Sequence, residues 1–362
     1  MDVHVVPGVK ARDVAEAHTM DLLHQEEYGC KCMTYWIDEQ RESIFCLIEA
    51  PEKDAVAEMH RKAHGLVPGK IIEVSSKVVE SFLGRIYDPE EAEITKDGLK
   101  VFSDPALRIL LVTKTTDPVL LQHRLGKEKA NELLSQKNNI IRKNAAHFGG
   151  SEVEHGGSGF IISFASAAKA ISCALAIQRG MQVSDADEIC FRIGINAGEP
   201  VEKSNKLFGN TIQLAFYLCA IAKNLQVAIT WSVKELVSKD HFQDGGENFL
   251  TLTPQDEKLL ECLYNQLEEN WQDADFNLDD YCQSMAMSKS QLYRKTISLT
   301  GLSPNQLLKE FRLEKAKELL KKRNYSIAQI TFESGFTDPS YFTKCFKKKY
   351  DLLPMAYVDL LH

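Results

Sequence analysis

The sequence predicts a multidomain chain: two α/β domains followed by an all-α domain. Three observations predict it. Residues 1–76 alternate strand and helix signals in the order β-α-β-β-α-β. Residues 107–237 alternate again, around longer helices. Residues 276–362 hold only helical segments, separated by caps and turns. A length of 362 residues suits two or three domains. With 44% apolar and 26% charged residues, wholesale disorder is excluded.

No apolar run reaches the ~18–20 residues that span a bilayer. The opening MDVHVVPGVKARD lacks the basic and then apolar pattern of a secretion signal. Nine irregularly spaced cysteines suit a reducing compartment, so a cytoplasmic location with no membrane partner is expected. Cys30 and Cys32 are separated by one residue, which is not zinc-finger spacing. The net charge is −8. Residues 277–362 carry eleven Lys and three Arg against nine Asp and Glu, a net of +5 that leaves −13 upstream. A basic end on an acidic body is the asymmetry of a chain in which one domain holds a polyanion.

In the first domain the expected strands are Asp2–Val6, Lys31–Ile37, Ser43–Ala50 and Lys70–Ser75, and the helices are Ala11–Tyr28 and Lys53–His64. Pro7-Gly8, Asp38-Glu39, Pro51 and Pro68-Gly69 punctuate them. This is a ferredoxin-like order, with helices on one face of the sheet. Five of the ten histidines fall here: His4, His18, His24, His60 and His64. His60 and His64 are four apart on one helix and can chelate one metal. His18 and Asp21 are three apart on the first helix. The first and third strands are expected to be antiparallel neighbours, which places His4 and Glu49 together on the open face. The expected metal set is therefore His4, Glu49, His60 and His64. Imidazole suits nickel, zinc or copper, and a carboxylate partner does not decide among them. His24 reads as surface. Cys46 alternates with Ile44 and Ile48 toward the helices and reads as core. The run from MDVHVVPGVKARDVAEAH through AEMHRKAHGLVPGKIIEV resembles a small bacterial family of ferredoxin-like domains, one branch of which is associated with nickel. That resemblance implies a transition metal, nickel or zinc, and no catalytic cofactor.

Residues 77–106 are charged, contain Pro89, Gly98 and Pro105, and read as a linker. The middle domain, 107–237, opens with strand Ile109–Val112 and a long helix, Asp117–His147. A hairpin follows over Ser151–Phe164. Then come helix Ala167–Met181, strand Glu188–Asn196, helix Thr211–Ala222 and strand Gln226–Thr230. Residues 238–275 read as a linker and a connecting helix, Pro254–Trp271.

The all-helical end, 276–362, contains two helix-turn-helix candidates. In the first, Leu278–Met285 leads through Ala286-Met287 to Ser288–Leu299, with Ser288 as N-cap. In the second, Ser326–Glu333 leads through Gly335 to a helix capped by Asp338 and running to Tyr350. Between them Ser303 caps a helix through Lys322 with Pro304 at its first position. Twenty residues span about 30 Å, close to one DNA turn of about 34 Å. The runs MSKSQLYRKTISLTGLSPNQLLKEFRLEKAKELL and YSIAQITFESGFTDPSYFTKCFKKKYDLLP resemble the AraC/XylS family of transcription regulators. The first departs from the family pattern at Thr296, where an apolar residue is usual. Helix faces then nominate the DNA contacts. Leu292 and Leu299 point inward, leaving Ser290, Tyr293, Arg294 and Lys295 outside. In the second unit Tyr341, Phe342 and Phe346 are expected in the core, with Pro339, Ser340, Thr343 and Lys344 outside, and Lys347 and Lys348 outside with them. Arg and Lys suit guanine, and a Thr methyl suits the thymine methyl. The Lys347–Lys349 run suits phosphates.

The middle domain contains HFGGSEVEHGGSGFIISF, RIGINAGEPV and LFGNTIQLAFYLCAIAKNLQVAIT, which resemble a class III nucleotide cyclase domain. Such a domain needs two aspartates to hold two metal ions. The resemblance places Lys114 and Ser158 at those positions. Glu154 stands at the base-selecting lysine, and Gln213 and Tyr217 stand at the transition-state Asn and Arg. This implies no cyclase activity. It implies a scaffold that pairs into a homodimer or holds a small effector. Three readings compete: a DNA-binding regulator with sensory domains upstream, a nucleotide cyclase, and a metal-trafficking protein. The first is favoured, with double-stranded DNA as partner.

Overall fold

The computed structural model describes residues 1–156, 159–183, 189–238 and 249–361. The first domain consists of β1 (Asp2–Val5), α1 (Ala11–His24), β2 (Lys31–Asp38), β3 (Ser43–Glu49), α2 (Lys53–Ala63) and β4 (Lys70–Ile71). Its sheet order is β2-β3-β1-β4, the ferredoxin-like arrangement the sequence predicts. Strand alternation gives the sheet two different faces. Tyr35, Ile37, Ile44 and Cys46 pack beneath α1 with Val9 and Val14. On the other face Met1, Trp36, Phe45 and Leu47 pack against Leu110, Val112 and Ile161 of the next domain. That second face is therefore covered, not open.

Residues 77–106, read as a linker, contain α3 (Ser76–Leu83) and a small hairpin of β5 (Glu93–Ile94) and β6 (Lys100–Val101). Val79, Phe82 and Leu83 of α3 are buried between the two domains. Arg108 binds the carbonyls of Phe82 and Leu83 at 3.1 and 3.0 Å. The charged composition concealed three apolar residues on one helical face.

The second domain consists of β7 (Arg108–Thr115), α4 (Pro118–Leu125), α5 (Lys127–His147), β8 (Ser151–Gly156), β9 (Gly159–Phe164), α6 (Ala167–Val183), β10 (Phe191–Gly198), α7 (Gly209–Ile221), β11 (Val227–Ile229), α8 (Trp231–Glu235) and β12 (Phe249–Thr251). These strands form one mixed sheet in the order β12-β11-β10-β7-β9-β8. The single helix expected over Asp117–His147 is two. Gly126 has φ +82° and ψ 158°, which no helix accommodates, and it breaks the chain between α4 and α5. Strand β12, within the expected linker 238–275, extends the sheet by pairing with β11.

The helical end consists of α9 (Pro254–Asn270), α10 (Leu278–Ser284), α11 (Lys289–Thr300), α12 (Pro304–Lys322), α13 (Ile327–Glu333), α14 (Pro339–Tyr350) and α15 (Pro354–Asp359). Its starts follow from one local device used three times. Ser288, Ser303 and Ser326 each accept the N–H of a Gln three residues on, and each Gln side chain binds the serine N–H in return. Gly335 (φ +74°) makes the turn of the second unit. A Cβ there would stand 2.3 Å from the Trp271 carbonyl oxygen, so only glycine fits.

Thr296 is fully buried, and its Oγ1 has no hydrogen-bond partner. A desolvated, unpaired hydroxyl costs free energy that its isostere does not. Thr296→Val is expected to raise the unfolding free energy by about 1 kcal/mol, read by chemical denaturation. Unchanged or lowered stability would contradict this account of the site.

Candidate functional site

Two groups of side chains carry chemistry. The first is in the N-terminal domain. Asp2 and His4 lie on the same face of β1, and the register pairs Asp2 with Cys46 of β3. Helices α1 and α2 bring Asp21, His60 and His64 to that face. His60, 1% exposed, sits at the centre. Its Nε2 is 3.0 Å from Asp2 Oδ2, and its Nδ1 is 3.0 Å from both Asp21 Oδ1 and His64 Nε2. His4 Nε2 is 3.7 Å from Asp2 Oδ1. Among the described residues, two groupings have candidate ligand atoms within 4.8 Å of one another: Asp2, His4, Cys46 and His60, and Asp21, His60 and His64. They share His60.

Burial alone would lower the His60 pKa, but the hydrogen bonds to Asp2 and Asp21 outweigh it and raise it to about 9. Near neutral pH the metal-free ring is therefore an imidazolium donating to both carboxylates. Burial lowers the His4 pKa, keeping that ring neutral and able to act as a ligand. Burial would raise Asp21, but hydrogen bonds from His60 and His64 bring it below the usual carboxylate range. The Cys46 thiol is pushed up by burial. Either grouping, two imidazoles with a carboxylate and a thiol or two imidazoles with a carboxylate, fits a late first-row divalent metal, whose positive charge would replace protons now held there.

Three of the four expected ligands, His4, His60 and His64, are brought together. Glu49 is not. His4 pairs with Ile44, five residues along β3 from Glu49, about 17 Å at strand rise. Glu49 pairs instead with Lys31 and is exposed. The expected shared open face was the error, because Asp2 and His4 face the helices. Asp2, Asp21 and Cys46 stand among the candidate ligand atoms and were not in the expected set. Asp2 is two residues from His4 in a strand and so on the same face, a signal already present in the alternation. Asp21 and Cys46 needed the helix packing and the strand register.

The second group is the outer face of the helical end. Ser290, Tyr293, Arg294 and Lys295 of α11 are exposed, while Leu292 is buried. On α14, Ser340, Lys344, Lys347 and Lys348 are exposed, Pro339 and Thr343 are half-buried, and Phe342 and Phe346 are buried. Tyr341, expected in the core, is 52% exposed. The core row runs Phe342, Phe346, Tyr350 at four-residue spacing, and Tyr341 lies a hundred degrees off it, beside Phe336. It belongs to the outer face. Lys349 does not: it binds the Glu310 carboxylate at 2.6 Å and Glu314 Oε1 at 3.2 Å. The spacer α12 has nineteen residues, about 28 Å.

At the described positions that the cyclase resemblance marked, the side chains make other contacts or face solvent. Lys114 faces Glu314 Oε2 of α12 at 3.9 Å. Glu154 is exposed on β8. Gln213 donates to the Tyr217 hydroxyl, and Tyr217 stacks on Tyr264 of α9 at 4.4 Å. Ser158 lies outside the described residues.

Comparison with known proteins assigns the two ends. Residues 281–359 match the helix-turn-helix domain model, and residues 1–74 match the model described as nickel responsive protein SCO4226-like. The C-terminal end is thus similar to helix-turn-helix domains and the N-terminal end to the SCO4226-like model, while part of the chain is similar to a cyclase structure. Histidine kinase P4 of Formosa agariphila is 33% identical over 108 residues, 30% of this chain and 8% of that protein. The HTH-type transcriptional regulator MtrA of Neisseria gonorrhoeae is 32% identical over 99 residues, 27% of this chain and 31% of that protein. The adenylate/guanylate cyclase/hydrolase structure from Silicibacter pomeroyi is 28% identical, covers 38% of this chain and 80% of its own, and has a TM-score of 0.32. The chain thus spans less than a third of the length of either curated relative. Among the described residues no helix is long and apolar enough to cross a membrane.

Proposed function

We propose that the chain is a sequence-specific, double-stranded-DNA-binding transcription regulator whose upstream domains bind a metal or small effector. The observation that carries this reading is the pair of exposed polar and basic faces on α11 and α14, set apart by the single helix α12. Arg294 and Lys344 read base edges there, helped by Ser290, Tyr293, Lys295, Pro339, Ser340 and Thr343. Lys347 and Lys348 hold phosphates. The test is selection of bound duplexes from a random library by the full-length protein, with and without nickel, zinc and nucleotides. A recurring motif of two blocks about one helical turn apart is expected. A pool that stays random under every addition would overturn the reading.

In the N-terminal domain one of the two groupings that share His60 holds the metal: Asp2, His4, Cys46 and His60, or Asp21, His60 and His64. Nickel is favoured over zinc by the family match. Bound there, the metal would supply positive charge in place of the imidazolium proton and tie α2 to β1 and β3 in the first grouping, or to α1 in the second. The middle domain has no enzymatic role in this reading. Incubation with ATP or GTP and manganese is expected to yield no cyclic nucleotide. A homodimer joined through the middle domain would use its α5 side, because α9 and α11 of the same chain cover α7.

Replacing Lys347 and Lys348 together by alanine is expected to weaken binding to all duplexes alike. It should also lower the slope of log affinity against log salt by about 1 to 2. A loss confined to the preferred motif would place these lysines on bases instead.

A further inference from the structure

The helical end is not tethered loosely to the rest of the chain. Asp117, at the start of α4 in the middle domain, has a carboxylate only 3% exposed. It caps its own helix by accepting the Val119 N–H at 3.0 Å. Among the described residues its remaining side-chain partners all come from the DNA-binding half. Lys321 Nζ lies at 2.8 Å, Lys317 Nζ at 3.5 Å, and the buried Tyr357 hydroxyl donates to both oxygens at 3.2 and 3.1 Å. Beside it, Val119 and Leu120 enter the core of the second helix-turn-helix unit with Leu313, Leu320, Phe342, Phe346 and Tyr357. Phe342 and Phe346 are the inner face of the reading helix α14 itself. The first unit is held separately, through Leu292 against the cluster that contains Leu214, Leu218 and Tyr264.

A spacer helix that joins two free-standing units would leave one side to solvent. Here α12 is covered nearly all round: only Asn305, Gln306, Glu318, Lys321 and Lys322 of its nineteen residues are exposed. Much of that cover comes from α11, α13 and α15, and the middle domain adds the contacts of Asp117 with Lys317 and Lys321 and of Lys114 with Glu314. Burial would raise the Asp117 pKa, but Lys317 and Lys321 outweigh it and hold it ionised. Lys321 is still in reach of solvent and Lys317 also meets Glu314 Oε2 at 3.2 Å, so loss of the Asp117 charge leaves the largely buried Lys317 with one carboxylate fewer and removes the charged acceptor of the buried Tyr357 hydroxyl. In this docked arrangement Ser290, Tyr293, Arg294, Lys295, Ser340 and Lys344 are all exposed.

We propose that the Asp117 carboxylate latches the DNA-binding half onto the middle domain, and that the latched form is the one whose two reading helices are set for adjacent major grooves. The middle domain is then part of the reader. A ligand bound upstream alters DNA affinity by favouring or opening this seam, since only differential affinity for the two arrangements shifts their populations. The proposal rests on the reading of the C-terminal half as a DNA reader.

Full-length Asp117→Asn tests it. Asparagine keeps the N-cap of α4 and removes the charge. Amide hydrogen exchange is followed in α4 and α15. Binding is measured to the selected two-block duplex and to a duplex keeping one block. Faster exchange in both helices is expected, with binding to the two-block duplex weakened at least tenfold and binding to the one-block duplex within twofold. Lys321→Met, which keeps the apolar stem, should reproduce the pattern more weakly and guards against misfolding of the first variant. Unchanged exchange would overturn the latch. Faster exchange with two-block affinity retained or tightened would overturn its role in setting the reader. If the unaltered chain prefers no duplex, the regulator reading falls, and the exchange measurement still decides whether Asp117 holds the seam.

Discussion

A full-length chain carrying Arg294→Ala together with Lys344→Ala is expected to lose nearly all preference for its selected duplex while keeping its affinity for random DNA. Each side chain stands exposed on the outer face of a different helix-turn-helix unit, and the proposed reading sets it against guanine O6 and N7. A good base contact is worth about 1–3 kcal/mol of discrimination. The two residues sit on separate units without shared partners, so their effects should add, to roughly 2–6 kcal/mol. Lys347 and Lys348, proposed to hold phosphates, are untouched, so the salt-dependent, sequence-blind binding should persist. Each single variant should relax the motif in one block only. Selection with Arg294→Ala that blurs both blocks, or neither, would show that α11 does not address one block by itself.

Removing His60 should have the next largest effect. His60 belongs to both candidate groupings, so His60→Ala is expected to lower nickel affinity by on the order of 100-fold or more, whichever grouping holds the ion. His64→Ala and His4→Ala separate the two, since each removes a ligand from one grouping only. The pH dependence has a defined sign. The folded His60 pKa is raised to about 9 from its ordinary 6.5. Its contribution to metal-free stability is therefore fully present below about pH 6.5 and is lost as pH rises through 9. Metal affinity runs the other way, rising up to about tenfold per unit over that window as one fewer proton must be displaced. Calorimetry of the full-length protein from pH 6.5 to 9 reads both. Affinity flat across the window would contradict an imidazolium at the centre of the site, and heat retained by His60→Ala would place the metal elsewhere.

The helical end was legible in the sequence almost to the residue, because its boundaries are set locally. A serine and a glutamine three positions later close each cap without help from the rest of the chain. The inner faces of α11 and α14 followed from four-residue spacing, with Tyr341 the one exception. Its aromatic side chain suggested burial, while its angular position placed it at the rim. The N-terminal site was half legible. The spacing of His60 and His64 on one helix is a local fact. Glu49 was placed by assuming which face of the sheet was free, and that depends on where another domain docks. The trio of Asp2, Asp21 and Cys46 is assembled by strand register and by the packing of α1 on α2, neither of which a linear pattern encodes. The same holds for α3, whose three buried residues are scattered through a charged segment, and for Asp117, whose partners are 200 residues or more away.

Competition binding of the full-length protein between its selected duplex and a scrambled duplex of equal length and composition, at physiological salt with and without nickel, addresses DNA reading most directly. A two-unit reader predicts a preference of about a thousandfold or more, falling when either block is scrambled. Equal affinity for the two duplexes under both conditions would contradict it, and the basic faces of α11 and α14 would then be ordinary solvated surface.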